Sequence, residues 1–132
     1  MELDEYHALP DGMDKDQVEK IINVFIDEFC ADDFLIAVEK LEILSDLQWH
    51  CYELPEKEMQ QIMTKWLNDN WIENQSFLVL VLKVSHSFGL GKNIYEKALG
   101  KYTGSDKENY LKDLVNSKGD YIDPYWSLKK TD

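Results

Sequence analysis

A chain of 132 residues is the length of one domain, and 44% hydrophobic with 30% charged residues is the composition of a folded protein with a core. Its 26 Asp and Glu face 14 basic residues, all of them Lys, for a net charge of −12. That balance, without a single Arg fork, speaks against binding nucleic-acid phosphates and against adhesion to anionic membranes.

The chain opens Met1-Glu2-Leu3-Asp4-Glu5, which lacks the basic and apolar regions of a signal peptide. The longest apolar run, Phe77 to Leu82, is six residues and too short to span a bilayer. Cys30 and Cys51 stand in no metal or redox spacing, so a pair of reduced thiols is expected rather than a disulfide. Together these features place the chain in the cytoplasm, with no membrane partner.

In chain order, residues 1–13 read as an irregular lead-in with a turn at Pro10-Asp11-Gly12. Asp14 and Gln17 form a capping-box pattern, and Val18, Ile21, Ile22, Phe25, Ile26 and Phe29 follow at helical spacing. Asp32 or Asp33 caps the next helix, whose apolar positions include Phe34, Leu35, Val38, Leu41 and Leu44. Pro55 suits the first turn of a third helix, buried through Met59, Ile62, Met63, Trp66 and Leu67. Residues 77–84 are rich enough in β-branched residues for a strand. The spacing of Phe77, Leu80, Val81, Val84 and Phe88 favours a central helix, capped by Asn74 and ended by Gly89.

A fifth helix is expected from Lys92 to Leu99, and Ser105-Asp106-Lys107-Glu108 reads as a capping box opening a sixth, ended by Gly119. Tyr110, Leu111, Leu114 and Val115 would line that sixth helix. The tail, residues 119–132, holds Tyr121, Tyr125 and Trp126 and is expected to pack on the body, since bare aromatics would make a large exposed patch. The expected fold is therefore all-α: about six helices as three helical hairpins in a single domain over 1–132. Helix starts near 14, 55 and 92 fit a short HEAT-like stack as well as an irregular bundle.

The charge is unevenly spread. Residues 1–60 hold 17 acidic residues against four lysines, a net −13, while residues 61–100 carry +1 and residues 101–132 carry 0. On the first long helix Asp16, Glu19, Asn23 and Asp27 share a face opposite the apolar stripe. On the second, Asp32, Glu39, Glu42 and Asp46 fall within about one quarter of the wheel at ~100° per residue, with Ile36 and Ile43 beside them. Carboxylates around apolar residues suit a basic protein partner, because charge steers the encounter and a desolvated centre slows release. Trp49 and Tyr52 follow at once as aromatic anchors. Ile36 and Ile43 fit equally well against a second neighbouring helix.

Other constellations lead less far. His50-Cys51 with Cys30 and His86 lacks chelating spacing, so no metal site is expected. A Cys–His nucleophilic pair would need a proximity that spacing does not establish. Gly89-Leu90-Gly91-Lys92 falls short of a phosphate loop and reads as a helix stop and hinge. The acidic pairs Asp27-Glu28 and Asp32-Asp33 lack the alternating ligands of a Ca²⁺ loop. No cofactor and no catalytic residue is assigned, so the chain is not expected to be an enzyme.

In size, charge and helical order over residues 14–118, the chain resembles the small acidic all-helical immunity proteins of bacterial toxin–immunity systems. Trp71-Ile72-Glu73-Asn74, leading into a helix closed by Phe88-Gly89-Leu90, is part of that likeness. The resemblance implies a role only: stoichiometric binding and neutralisation of a basic toxin domain, often a nuclease. The expected partner-binding residues remain those read from the charge pattern: Asp27, Asp32, Ile36, Glu39, Glu42, Ile43, Asp46, Trp49 and Tyr52. The alternatives are a helical adaptor or regulatory subunit that binds a protein segment, and a phage-type inhibitor that mimics nucleic acid.

Overall fold

The computed structural model describes residues 1–10, 12–28, 33–51 and 53–128. Among them are seven α-helices and no strand: α1 Leu3–His7, α2 Lys15–Glu28, α3 Phe34–Trp49, α4 Lys57–Asp69, α5 Gln75–Phe88, α6 Lys92–Leu99 and α7 Lys107–Asn116. None is long and apolar enough to cross a membrane. The chain divides into two compact units, Met1–Pro55 and Glu56–Asp132.

In the first unit the capping box at the start of α2 is reciprocal. The Gln17 amide donates to Asp14 Oδ1 and the Asp14 amide donates to Gln17 Oε1, each at 2.9 Å. Val18, Ile22 and Phe25 are fully buried from α2, each worth roughly 1.5–3 kcal/mol of transfer free energy. Asp33 caps α3 by accepting from the Ile36 amide at 3.0 Å. Asp32, the other candidate cap, and Phe29, Cys30 and Tyr52 lie outside the described residues.

Residues 1–13 are not wholly irregular, since α1 occupies five of them and packs on α3. Tyr6 is its anchor. The ring is fully buried, and its hydroxyl donates to Glu28 Oε1 at 3.2 Å. Lys40 of α3 is 2% exposed; its ammonium donates to the Met1 carbonyl at 3.0 Å and lies 3.9 Å from Glu28 Oε1. The Met1 amino group also pairs with Glu28. One carboxylate thus ties the α1 segment to α2 and α3, which places α1 by tertiary contact without a side-chain cap of its own.

In the second unit, residues 77–84 are helical. The Asn74 side chain accepts from the Phe77 amide at 2.7 Å, and Gly89 stops α5 with φ 63°, the left-handed conformation that a Cβ penalises. Between these signals α5 is buried on nearly every side, through Phe77, Leu78, Leu80, Val81, Leu82, Val84 and Phe88. Such burial overrides the weak helix propensity of valine. It packs on α4, through Met63, Trp66 and Leu67, and on α6, through Ile94, Tyr95, Ala98 and Leu99. Pro55 stands before the α4 N-cap, Glu56, rather than inside the first turn.

The capping box expected at Ser105 does not form. Asp106 takes the N-cap position without a side-chain bond to the helix, and its carboxylate accepts from the Tyr102 hydroxyl. Nor does Gly119 end α7. The helix stops at Asn116, where Ser117 turns extended and its hydroxyl donates to the Asp113 carbonyl at 2.6 Å. None of α7 is fully buried, and Leu111 and Val115 are exposed. In the segment that follows, Ile122, Pro124 and Tyr125 are buried and Trp126 Nε1 donates to Asp113 Oδ1 at 2.8 Å, while Tyr121 stays 48% exposed.

Candidate functional site

The acidic residues singled out on α3 line one side of a shallow groove in the first unit. Glu39, Glu42, Ile43, Asp46 and Leu47 form its α3 wall, and Tyr6, His7 and Leu9 form the wall supplied by the α1 segment, around a volume of about 470 Å³. The spacing 39, 42, 43, 46 is the 3–4 periodicity of one helix face, so the local fold alone brings these four side chains together. Ile43 is half-buried at this groove, beside α1. The second neighbour that the sequence allowed for it is therefore the α1 segment.

Charges on this face are weakly opposed. His7 Nε2 lies 3.6 Å from Glu39 Oε2, and His50 Nδ1 lies 3.7 Å from Asp46 Oδ1 and 2.8 Å from the Asp46 carbonyl. Both pairs are exposed. Residues 1–55 contain only three lysines. Lys40 faces inward, Lys15 pairs with Glu19 at 3.6 Å, and Lys20 is exposed on α2. The one lysine of α3 is therefore turned away from Glu39, Glu42 and Asp46, which leaves that helix face with carboxylates and no cation of its own.

The apolar component is larger than the sequence implied. Leu35, one of the apolar positions of this helix, is 78% exposed, and Ile36 is exposed as well. On the wheel Leu35 falls between Asp46 and Glu42, so it belongs to the acidic stripe. The missed signal was in the sequence: α3 carries apolar residues around most of its circumference, and α1 and α2 do not cover all of them.

The remaining expected contacts are more scattered. Asp27 is exposed on α2. Trp49 is half-buried, its ring edge-on to His50 with centroids 5.2 Å apart. Asp32 and Tyr52 lie outside the described residues. The structure thus gathers Glu39, Glu42, Ile43 and Asp46 at one groove, with Ile36 along the same helix.

The thiol and histidine considered for chemistry have their own environments. Burial pushes the Cys51 thiol up from its ordinary value, and Asp14, Glu53 and Glu19 push it further, which keeps it protonated at neutral pH. Its Sγ lies 3.4 Å from the carbonyls of Met13 and Leu47. Burial holds His86 below the usual histidine value, against the opposing pull of Asp113 and Asp123. Among the described residues no three His, Cys, Asp or Glu side chains are grouped to hold a metal ion. Around the glycine pair, Leu90 is buried and the Lys92 ammonium donates to the Ser117 carbonyl at 2.7 Å, an arrangement that joins two segments.

Compared with protein-family models, with curated proteins and with solved structures, the chain matches none.

Proposed function

We propose that the chain is an immunity or antitoxin-like protein that acts in the cytoplasm by binding and neutralising a basic toxin domain of the nuclease kind. The observation that carries this reading is the α3 face. Glu39, Glu42 and Asp46 form a stripe that includes exposed Leu35 and runs beside exposed Ile36 and the groove residue Ile43, while the one lysine of α3, Lys40, faces inward. Carboxylates at this density attract and orient a lysine- or arginine-rich surface over a Debye length of ~8 Å at physiological salt. The apolar side chains among them supply the area that leaves water on contact. Inhibition then follows from occupancy, and the protein supplies no reacting group.

The decisive experiment is growth rescue with the toxin-like domain encoded by the neighbouring upstream reading frame. Toxicity relieved by this chain, and restored by the triple variant Glu39→Lys, Glu42→Lys, Asp46→Lys at unchanged folding, is the expected result. Each reversed rim charge should cost on the order of 1 kcal/mol at low salt, so the triple variant should lose about a hundredfold in affinity. Affinity unchanged at low salt would remove the interface assignment. Absence of rescue would remove the immunity reading and leave the adaptor alternative.

A further inference from the structure

The chain holds three histidines, and two of them stand on the carboxylates of the α3 stripe. His7 reaches it from the α1 segment, with Nε2 3.6 Å from Glu39 Oε2. His50 reaches it from the C-cap of α3, with Nδ1 3.7 Å from Asp46 Oδ1. The third, His86, belongs to α5 in the other unit.

His7 lies on the α1 wall of the groove and Glu39 on the α3 wall, so an ion pair between them crosses from one wall to the other. The side chains of His7 and His50 are 56% and 45% exposed, so both rings exchange protons with water in the folded chain. His50 Nδ1 also lies 2.8 Å from the Asp46 carbonyl, which only accepts. That nitrogen therefore carries a proton in either state, and the charge of the ring changes at Nε2.

Around His7 the charged groups are Asp4 and Glu5 of its own helix and Glu39, Glu42 and Asp46 across the groove. Lys40 of α3 and Glu28 of α2 are engaged with each other and with Met1. Around His50 they are Asp46 and, beside the neighbouring Cys51, Asp14, Glu19 and Glu53. On α2, Lys15 is paired with Glu19 and Lys20 is exposed. In water, carboxylates keep their charge above about pH 5 and lysines below about pH 9, whereas imidazole changes charge between the two. Over that interval the two histidines set the charge of the stripe. With neutral rings Glu39, Glu42 and Asp46 all stand without a counter-ion among the described residues; with both rings protonated only Glu42 does.

We propose that the α3 face is a proton-gated docking surface: protonation of His7 and His50 neutralises Glu39 and Asp46 and releases a basic partner, which binds as the rings lose their protons. The inference rests on the reading of this face given above and adds its regulation. A cationic partner and an imidazolium compete for the same carboxylate. The complex therefore holds fewer protons than the free chain, and by linkage affinity rises with pH.

The test uses the full ¹⁵N-labelled chain and the peptide acetyl-Lys-Leu-Lys-Lys-Leu-Lys-amide, which has no group that titrates between about pH 5.5 and about pH 7.5. Amide shifts of Glu39, Glu42 and Asp46 are followed at low salt at both values. Binding about fivefold weaker at the lower pH is expected, the combined effect of two exposed charge pairs. In the double variant His7→Gln, His50→Gln the ratio should fall below about twofold, which separates these rings from His86, present in both chains. Equal binding at the two pH values, or the same loss in the double variant, would overturn the proposal and leave the α3 face as a docking surface. No shift on that face at either pH, up to about 1 mM peptide, would overturn the proposal together with the reading it rests on.

Discussion

Helices α3 and α5 are the two most apolar in the chain, and they meet opposite fates. In α5, apolar residues on nearly every side are covered, by α4 and α6 among others, and seven of its large apolar side chains are buried. In α3, with apolar residues spread just as widely, α1 and α2 cover Ala37, Leu41, Leu44 and Leu47 but leave Leu35 and Ile36 in water. The difference lies in the neighbours and in the polar positions. Between its apolar residues α5 carries Lys83, His86 and small serines, whereas α3 carries Glu39, Glu42 and Asp46. An apolar helix with a carboxylate-lined uncovered face can remain in solution as a monomer surface and still offer area to a basic partner.

The sharpest way to break this comparison is to cut the same kind of side chain from each helix. Leu80 on α5 is 2% exposed, and Leu80→Ala should cost about 2–5 kcal/mol of stability through lost transfer energy and a residual cavity. Leu35→Ala on α3 should lie within about 0.5 kcal/mol of the parent, as surface substitutions do. Urea unfolding midpoints measure both. A Leu35→Ala loss as large as that of Leu80→Ala would mean that the α3 face is covered in solution, and the partner surface would lose its apolar centre.

Helix caps give a smaller effect and test the opposite property, one in which the two helices should agree. Asn74 caps α5 and Asp33 caps α3, each accepting from the amide three residues on. A cap satisfies backbone donors at the helix end and does not depend on what covers the faces. Asn74→Ala and Asp33→Ala should therefore each cost about 1 kcal/mol. A negligible loss for Asp33→Ala alone would mean that the first turn of α3, and with it Leu35 and Ile36, is not held in place.

The contrast also separates what the sequence carries from what it does not. Local signals were legible: the Asp14–Gln17 box, the Asn74 and Gly89 bounds of α5, the span of α6 and the clustering of Glu39, Glu42, Ile43 and Asp46 on one helix face. Each depends on residues a few positions apart. The α1 wall of the groove was not legible, because five residues are too few to display a helical period and Tyr6 is anchored by Glu28, 22 residues away. The start of α7 was misread by one residue, since Asp106 rather than Ser105 takes the N-cap position, with its carboxylate accepting from the Tyr102 hydroxyl. The exposure of Leu35 was not legible, because periodicity locates a side chain on a wheel and says nothing about which arcs of that wheel a neighbour covers.

The smallest expected effect concerns His86, and it asks whether α5 is as dry as its burial implies. The imidazole Nε2 lies 3.7 Å from Asp113 Oδ1, the same oxygen that accepts from Trp126 Nε1. A carboxylate so close would ordinarily raise a histidine, yet burial outweighs Asp113 and Asp123 and holds His86 below its ordinary value of 6.5. In that case the unfolded chain takes up a proton at this position before the folded chain does. Stability is then fully present above 6.5 and falls as pH drops from there through the lower folded value. Replacing the ring by a neutral amide, His86→Asn, removes this dependence. Thermal unfolding at about pH 7.5 and about pH 5.5, on either side of the ordinary histidine value, should show a larger acid loss in the parent than in the variant. A smaller loss in the parent would mean that the Asp113 and Asp123 carboxylates outweigh desolvation. The α5 surface at His86 would then be wetter than the rest of that helix, and the contrast with α3 would narrow to the residues between Phe77 and Val84.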